Sequence, residues 1–504
     1  MSNAYDELPY PGKPFSQTHP DRLATLATLF GMTPAPVDRC RILEVGCGDG
    51  ANLIPMAFGL PSSQCIGIDL SRTAIALGQA IVDTLELPNI TLRQLDLMAA
   101  GPDLGEFDYI IAHGIYSWVP PDVRERLLEI CKSRLRPNGI AFISYNAYPG
   151  GHLRDILREM MLFHTRNASS PAEKLRQARE LLEFLVVAHR EDDAYSLFLR
   201  TEVKSLLERH PAAFYHDELE VHNHRFYFHE FTRDATRHGL QYLSEATPLS
   251  MQTGVLGNDL TTKLRAITGS DEMLQQQYMD FVKLRNFRQT LLCHADIPLD
   301  RTPHTSSILK MWAAADASAV SPDPDVRSEN SQEFKYRSGG SMSTNHPLAK
   351  AAMLHLGRAW PRAVPFDELL QVARSLAGRD ITSGPSLEED STWLAEMLLR
   401  LYAANFLELH VYEPPFVTSV SRRPVASALA RAQIQKGSAS TTLKHEAAEL
   451  ADQGARDLLL LLDGTHDRAQ LLYEMRQRYD PSEITPERLE ANLERLAKMP
   501  LLVA

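Results

Sequence analysis

No stretch of this 504-residue chain reaches the roughly 20 apolar residues that a membrane-spanning helix needs, so no membrane insertion is expected. Cysteine is scarce. Cys40, Cys47, Cys65, Cys131 and Cys293 share no C-x-x-C spacing, which speaks against a disulfide framework and for a reducing, cytoplasmic setting. Basic residues are outnumbered, 52 Lys and Arg against 64 Asp and Glu, and the net charge of −12 argues against non-specific nucleic-acid binding, which depends on neutralising phosphates. Residues Met1 to Glu7 have none of the pattern of a signal peptide. There is no G-x-S-x-G elbow and no G-x-x-x-x-G-K-[ST] loop, so hydrolase and NTPase readings have no support. Histidines cluster (His210, His216, His222, His224 and His229, with Asp217, Glu218 and Glu220), yet without H-E-x-x-H or a ligand-bearing helical spacing; no metal is expected.

What the chain does have is a glycine turn at the end of an apolar run: Ile42-Leu43-Glu44-Val45-Gly46-Cys47-Gly48-Asp49-Gly50. Glycine lets backbone approach a ligand where a Cβ would collide. About twenty residues later the run Cys65-Ile66-Gly67-Ile68 ends in Asp69, a carboxylate suited to both hydroxyls of a ribose. Together these describe a nucleoside pocket at the carboxyl ends of parallel strands. The loose dinucleotide fingerprint also fits Gly46-x-Gly48-x-x-Ala51, but three details favour S-adenosylmethionine over NAD. Glu44 puts a carboxylate where the amino group of S-adenosylmethionine, rather than a pyrophosphate, would sit. Gly50 completes G-x-G-x-G. Leu135-Arg136-Pro137-Asn138-Gly139 then precedes the strand Ile140–Ser144, a turn-then-strand arrangement habitual in class I methyltransferases. The expected cofactor set is Glu44, Gly46, Cys47, Gly48, Gly50 and Asn52 around the turn, Asp69 and Leu70 after the second strand, Asp96 and Leu97 after the third, and His113 after the fourth.

The chain is too long for one core. Alternating strand and helix patterns over 1–168 predict the first part of a parallel α/β sheet. Residues 169–212, charged and Leu-rich, read as a helical insertion, and 213–300 return to strands that complete a seven-stranded, Rossmann-like sheet. The Ser-, Pro-, Asp- and Gly-rich stretch within 301–345 reads as a linker or mobile loop. Residues 346–415 and 416–504 read as mostly helical, winged-helix-like units. A winged helix often binds DNA, but the third helix of the first unit, Trp393 to Leu401, carries one arginine and nearby carboxylates, so protein packing is favoured.

Several strings carry a family resemblance: Tyr10-Pro11-Gly12, Thr18-His19-Pro20-Asp21-Arg22-Leu23, Asn52-Leu53-Ile54-Pro55, His113-Gly114-Ile115-Tyr116-Ser117-Trp118-Val119-Pro120, Ser144-Tyr145-Asn146-Ala147-Tyr148-Pro149-Gly150, Tyr227–Phe231 and Arg285–Leu292. The chain resembles the bacterial class I methyltransferases that carry a methyltransferase regulatory domain. Among them are the rickettsial protein lysine methyltransferases that modify an outer-membrane protein. The glycine turn departs from the family's frequent Gly-Cys-Ala-Ser-Gly and returns to the general class I form. The resemblance implies the class I fold, S-adenosylmethionine and a homodimer; it does not fix the methyl acceptor.

Methyl transfer requires alignment and, for an amine acceptor, a neutral lone pair. Lysine, with a pKa near 10.4, has to shed its proton in a desolvating channel, and aromatic walls also tolerate a methylammonium product. Tyr116 and Trp118 after the fourth strand, and Tyr145 and Asn146 at the end of the next, are the expected channel residues. Either pair can instead pack the sheet's rim. The expected activity is methylation of a protein lysine amine. Alternatives are a small-molecule N-, O- or C-acceptor, or a catalytically silent module that only binds the cofactor. Leu175, Leu181, Leu182 and Leu185 recur at near-helical spacing in the insertion, a stripe that needs a partner surface, from the catalytic domain or from a second subunit; the resemblance favours the second and makes the insertion the dimerisation candidate.

Overall fold

The computed structural model describes residue 8 and residues 10–189, 192–252, 256–337, 339–379 and 385–504; Met1 to Glu7 and Ser338 of the expected linker lie outside them. Five aliphatic runs pair in parallel at its centre. β1 (Arg41–Val45) lies between β2 (Gln64–Asp69) and β4 (Phe107–Ala112), with β3 (Ile90–Gln94) beyond β2 and β5 (Leu135–Ala147) beyond β4. Every residue of β4 is buried, as befits a strand covered on both faces. The chain leaves the sheet after Ala147 and rejoins it as β7 (Leu240–Glu245) and β8 (Phe287–His294). The order is β3-β2-β1-β4-β5-β8-β7, with β8 antiparallel to both neighbours, the seven-stranded class I arrangement. A two-residue strand, β6 (Arg225–Phe226), adds to the end of β5.

The turn expected at Leu135–Gly139 lies inside β5. Leu135 pairs with Phe107 and Ile140 with Tyr109, so Arg136–Gly139 are accommodated by a register shift without ending the strand.

Between the two parts of the sheet stand α-helices Gly151–His164, Pro171–Ala188, Ala194–Leu207 and Pro211–Leu219. The second begins where Ser170 caps the Glu173 N–H and Pro171 takes the first helical position. Its leucine stripe does not wait for another subunit. Leu182 is fully buried, and Leu175, Leu181 and Leu185 pack on the insertion's own core of Leu157, Met161, Leu199, Leu206 and Phe214.

The polar stretch after residue 301 is also more ordered than its composition suggests. β9 (Trp312–Ala314) is followed by an antiparallel meander, β10 (Ala317–Ala319), β11 (Gln332–Tyr336) and β12 (Ser341–Thr344). Alternation explains it: Phe334 and Tyr336 point into the core while their polar neighbours face water. β9 joins β13 (Val364–Pro365) and β14 (Glu408–His410) in a small sheet beside helices Pro347–Ala359, Phe366–Leu376 and Pro385–Ala403. The last of these buries Leu394, Ala395 and Leu398, and Trp393 stacks on His346 with ring centres 3.6 Å apart. The C-terminal unit has a separate core that includes Leu458, Leu459, Leu471, Leu493 and Leu496, and a hairpin of β15 (Ala439–Thr441) and β16 (Ala447–Glu449).

The N-terminal helix Pro20–Leu29 is locked to β14 by charge. Asp21 Oδ2 lies 2.7 Å from His410 Nδ1, and Asp21 Oδ1 accepts the N–H groups of Val411 and Tyr412. Glu408 Oε2 is 3.2 Å from His410 Nε2. Burial alone would lower the His410 pKa, but Asp21 and Glu408 outweigh it and raise it from 6.5 to about 9. This contribution to stability is complete below the unfolded value and is lost as pH rises through about 9. Calorimetric unfolding is expected to show stability falling across that window, with the slope flattened in His410→Gln. Equal slopes in the two proteins would refute the charge lock.

Candidate functional site

The site grows from the ends of β1 and β2. After Val45 the chain turns sharply, and the Gly46 and Cys47 N–H groups both reach back to Ile68 O on β2, at 2.8 and 3.1 Å. The Gly48 N–H donates to Asp69 Oδ2 and the Ser71 N–H to Asp69 Oδ1, both at 2.8 Å. The turn and the end-of-strand carboxylate therefore hold each other, and each Asp69 oxygen keeps acceptor capacity toward the cavity. Gly48 has φ +55°, and a Cβ built there meets no atom within 4 Å. It would project into open space.

That space is a cavity of about 910 Å³, bordered by Gly46, Cys47 and Gly48, by Asp69 and Leu70, by Asp96 and Leu97, and by His113. Glu44 and Asn52 form its inner wall, both nearly fully buried. Asn52 Nδ2 donates to Glu44 Oε1 at 2.7 Å, while Glu44 Oε2 is buried with no hydrogen-bond partner among the described residues. Burial raises the Glu44 pKa to about 8, with Asn52 pulling it down and Asp69 and Asp49 adding to the rise. Asp96 itself is exposed and caps a short turn through the Met98 N–H. The His113 ring stacks on Phe15 at 3.9 Å, and its Nδ1 is 3.5 Å from Ser144 Oγ. Burial, reinforced by Lys13, lowers its pKa to about 4, so it is neutral.

Three expectations need correction. Gly50 does not border the cavity: a Cβ there would stand 2.9 Å from Ile54 Cδ1, so this glycine serves close packing. Tyr116 and Tyr145 do not border the cavity either. Both are about 1% exposed and lie on the other side of the sheet, where Tyr145 stacks on Phe231 at 4.2 Å and Tyr116 meets Phe231 edge-on at 5.2 Å. Adjacent residues on a strand face opposite ways, so of the pair Tyr145 and Asn146 only Asn146 can reach the cavity. Trp118 reaches it as well.

Other bordering residues were missed. The segment Tyr10–Phe15 lies along the cavity, and a Cβ on Gly12 would be 2.6 Å from Ala51 Cβ. The signal was the Tyr10-Pro11-Gly12 string, read for family and not for place. The cavity also extends to the insertion and the strands after it, past Arg154, Asp217, Glu218, Arg225 and Phe287. Two of the clustered histidines, His216 and His222, border it too; His216 Nε2 is 2.6 Å from Leu8 O and its Nδ1 3.2 Å from Glu220. Among the described residues no group of three or more His, Cys, Asp or Glu is placed to hold a metal ion.

Comparison with known proteins bears directly on this arrangement. Residues 42–139 match a methyltransferase domain family, residues 210–294 the "predicted methyltransferase regulatory domain", and residues 422–499 the "PKMT, C-terminal winged helix domain". An uncharacterized protein of Rickettsia prowazekii is 35% identical over 379 residues, 74% of this chain and 68% of that protein. A second uncharacterized protein of the same organism is 39% identical over 235 residues, 46% of this chain and 94% of that protein. The structure of PKMT2 from Rickettsia typhi in complex with AdoHcy superposes with a TM-score of 0.87 at 29% identity, covering 98% of this chain and all of that one. This chain belongs to the class I methyltransferases that carry a regulatory domain.

The cofactor of this methyltransferase is S-adenosylmethionine, and the residues present suit it. A glycine faces open space in the turn, a held carboxylate stands at the end of β2, and a buried carboxylate oxygen has no partner among the described residues. Asp69→Ala is expected to weaken cofactor binding by roughly ten- to a hundred-fold, since a hydrogen bond to a charged group is worth about 1.5–3 kcal/mol. Gly48→Val should abolish binding. Glu44 binds its proton more tightly folded than unfolded, so stability of the cofactor-free protein falls as pH rises from 4.5 through about 8. Glu44→Gln should therefore melt higher than the parent at pH 9 without cofactor and bind the cofactor more weakly; a lower melting point would overturn the account of Glu44.

Proposed function

We propose that this methyltransferase acts on the side-chain amine of a protein lysine. The observation that carries the reading is the likeness along nearly the whole chain to PKMT2, insertion and C-terminal units included. Bound S-adenosylmethionine supplies a methyl group on a sulfonium that is already a good leaving group. Asp69 takes the ribose hydroxyls, Glu44 the amino group, and Asp96 and Leu70 flank the adenine, all from positions bordering one cavity. The far end of that cavity supports an amine acceptor. Asp217, Glu218 and Glu220 there are answered by Arg209, Arg154 and His216, and Trp118 and Phe287 offer apolar surface that desolvates an approaching ammonium. Desolvation favours the neutral amine, and Asn146, held by Asn223 at 2.9 Å, is placed to orient it.

Two further readings belong to this proposal. None of the described helices is long and apolar enough to cross a membrane, and all five cysteines are free and buried, which supports a reducing cytoplasm. The insertion leaves Phe184, Val187 and Leu197 more than 60% exposed, a surface suited to a second copy of the chain.

Incubation with methyl-labelled cofactor and lysate of the source organism should put label into acid-precipitable protein, at lysine by mass spectrometry. Label confined to the soluble fraction would favour a small-molecule acceptor, and cofactor binding without transfer a silent module. Light scattering should give a dimer at micromolar concentration and a monomer for Phe184→Glu with Val187→Glu; a monomeric parent protein would refute the dimer.

A further inference from the structure

The C-terminal unit touches the inner wall of the cofactor cavity at one side chain. The hairpin of β15 and β16 turns through Thr442–Glu446, and His445 there adopts φ +59°, a region uncommon for any residue but glycine, asparagine and aspartate. This backbone sends the imidazole, 4% exposed, onto Asn52, with Nε2 2.9 Å from Asn52 Oδ1. Asn52 Oδ1 also accepts the Phe15 N–H at 2.8 Å, and its Nδ2 donates to Glu44 Oε1 at 2.7 Å and to Thr18 Oγ1 at 3.0 Å. An amide oxygen facing the Phe15 N–H requires a donor from the histidine. His445 therefore carries its proton on Nε2, and its buried Nδ1 has no hydrogen-bond partner among the described residues. With the Phe15 N–H, His445 holds Asn52 by its oxygen, so that nitrogen, not oxygen, meets Glu44.

The turn is pinned from outside as well. Lys444 Nζ lies 2.7 Å from Glu408 Oε2 and 4.2 Å above the Trp360 ring, and the Leu443 N–H donates to Pro500 O. A turn held at both ends and carrying a backbone conformation of this kind at a ligand-facing wall is the pattern of a positioned side chain rather than of a loop tip. Burial keeps the His445 pKa well below 6.5, and His19, whose ring is 5.3 Å away, is likewise lowered, to about 4; neither adds charge behind Glu44.

We propose that His445 is a positioning residue of the cofactor site: through Asn52 it holds the Glu44 carboxylate toward the amino-acid end of S-adenosylmethionine. The C-terminal winged-helix unit thereby completes the methyltransferase pocket, and by linkage cofactor binding strengthens the unit's docking as much as docking strengthens binding. This rests on the reading of Glu44 as the partner of the cofactor's amino group.

Two ligands separate positioning from mere support. S-adenosylhomocysteine carries the amino acid, and 5′-methylthioadenosine shares the nucleoside but lacks it. Calorimetry on the full chain should show His445→Asn, which keeps a residue suited to the turn but is too short to reach Asn52, weakening S-adenosylhomocysteine about tenfold, the effect of one buried hydrogen bond. Affinity for 5′-methylthioadenosine should be unchanged, and His445→Gln, which retains a donor at the right reach, should recover most of the loss. Equal losses for both ligands, or no loss for either, would overturn the proposal. Glu44→Gln in the same assay assigns the failure. If it too weakens both ligands alike, the role of Glu44 falls and takes the inference with it; if it discriminates where His445→Asn does not, the inference alone falls.

Discussion

The pairing of β5 with β8 is the constraint on which the rest depends. β5 ends one part of the chain, and β8, which joins β7 to it, pairs along its far edge with Asn146 opposite Phe287 and Ala141 opposite Leu292. Residues 148–286 lie between them, and the insertion and the regulatory strands can border the cavity only because this antiparallel pair brings the chain back. Arg288 secures the join. Fully buried, it is bound by both oxygens of Asp280 at 2.8 Å and by Glu245 Oε1 at 2.5 Å, with its guanidinium 3.9 Å from the Phe228 ring centre. A buried arginine costs several kcal/mol to desolvate and is tolerated only where carboxylates answer it. Here they come from β7 and from the helix Glu272–Lys283, so helix and strands are fixed in one relation.

The cofactor half was legible in the sequence because its signals are local. Gly46 to Gly50, Glu44 and Asp69 lie within thirty residues, and the backbone that joins them sets their geometry. The order of strands was legible for the same reason, each being a short aliphatic run between breakers. The last unit, which matches a winged-helix family, was recognisable from its helices and turn.

The remainder depended on which way side chains face after folding. Tyr145 and Asn146 are equally suggestive as letters, but strand alternation sends one into an aromatic core and the other into the cavity. The leucines of the insertion have the spacing of an interface and the burial of a core, because three further helices cover them. The meander around Phe334 looked like linker because the segments flanking its strands are rich in Ser, Pro, Asp and Gly. His445 is the extreme case: it meets Asn52 from the far end of the sequence, and no local pattern marks it.

The long detour between β5 and β8 also affects how the chain can be made. At roughly 5–20 residues per second, residues 148–286 take on the order of ten seconds to synthesise. During that interval the far edge of β5, thirteen residues long and mostly buried in the finished fold, has no β8 to pair with. An unpaired apolar edge is a template for other chains. The short β6, which pairs with Asn146 and Ala147, emerges well before β8 and covers only the tip of that edge. The nascent protein thus passes through a stage in which its cofactor half is already written but its sheet is open along this edge.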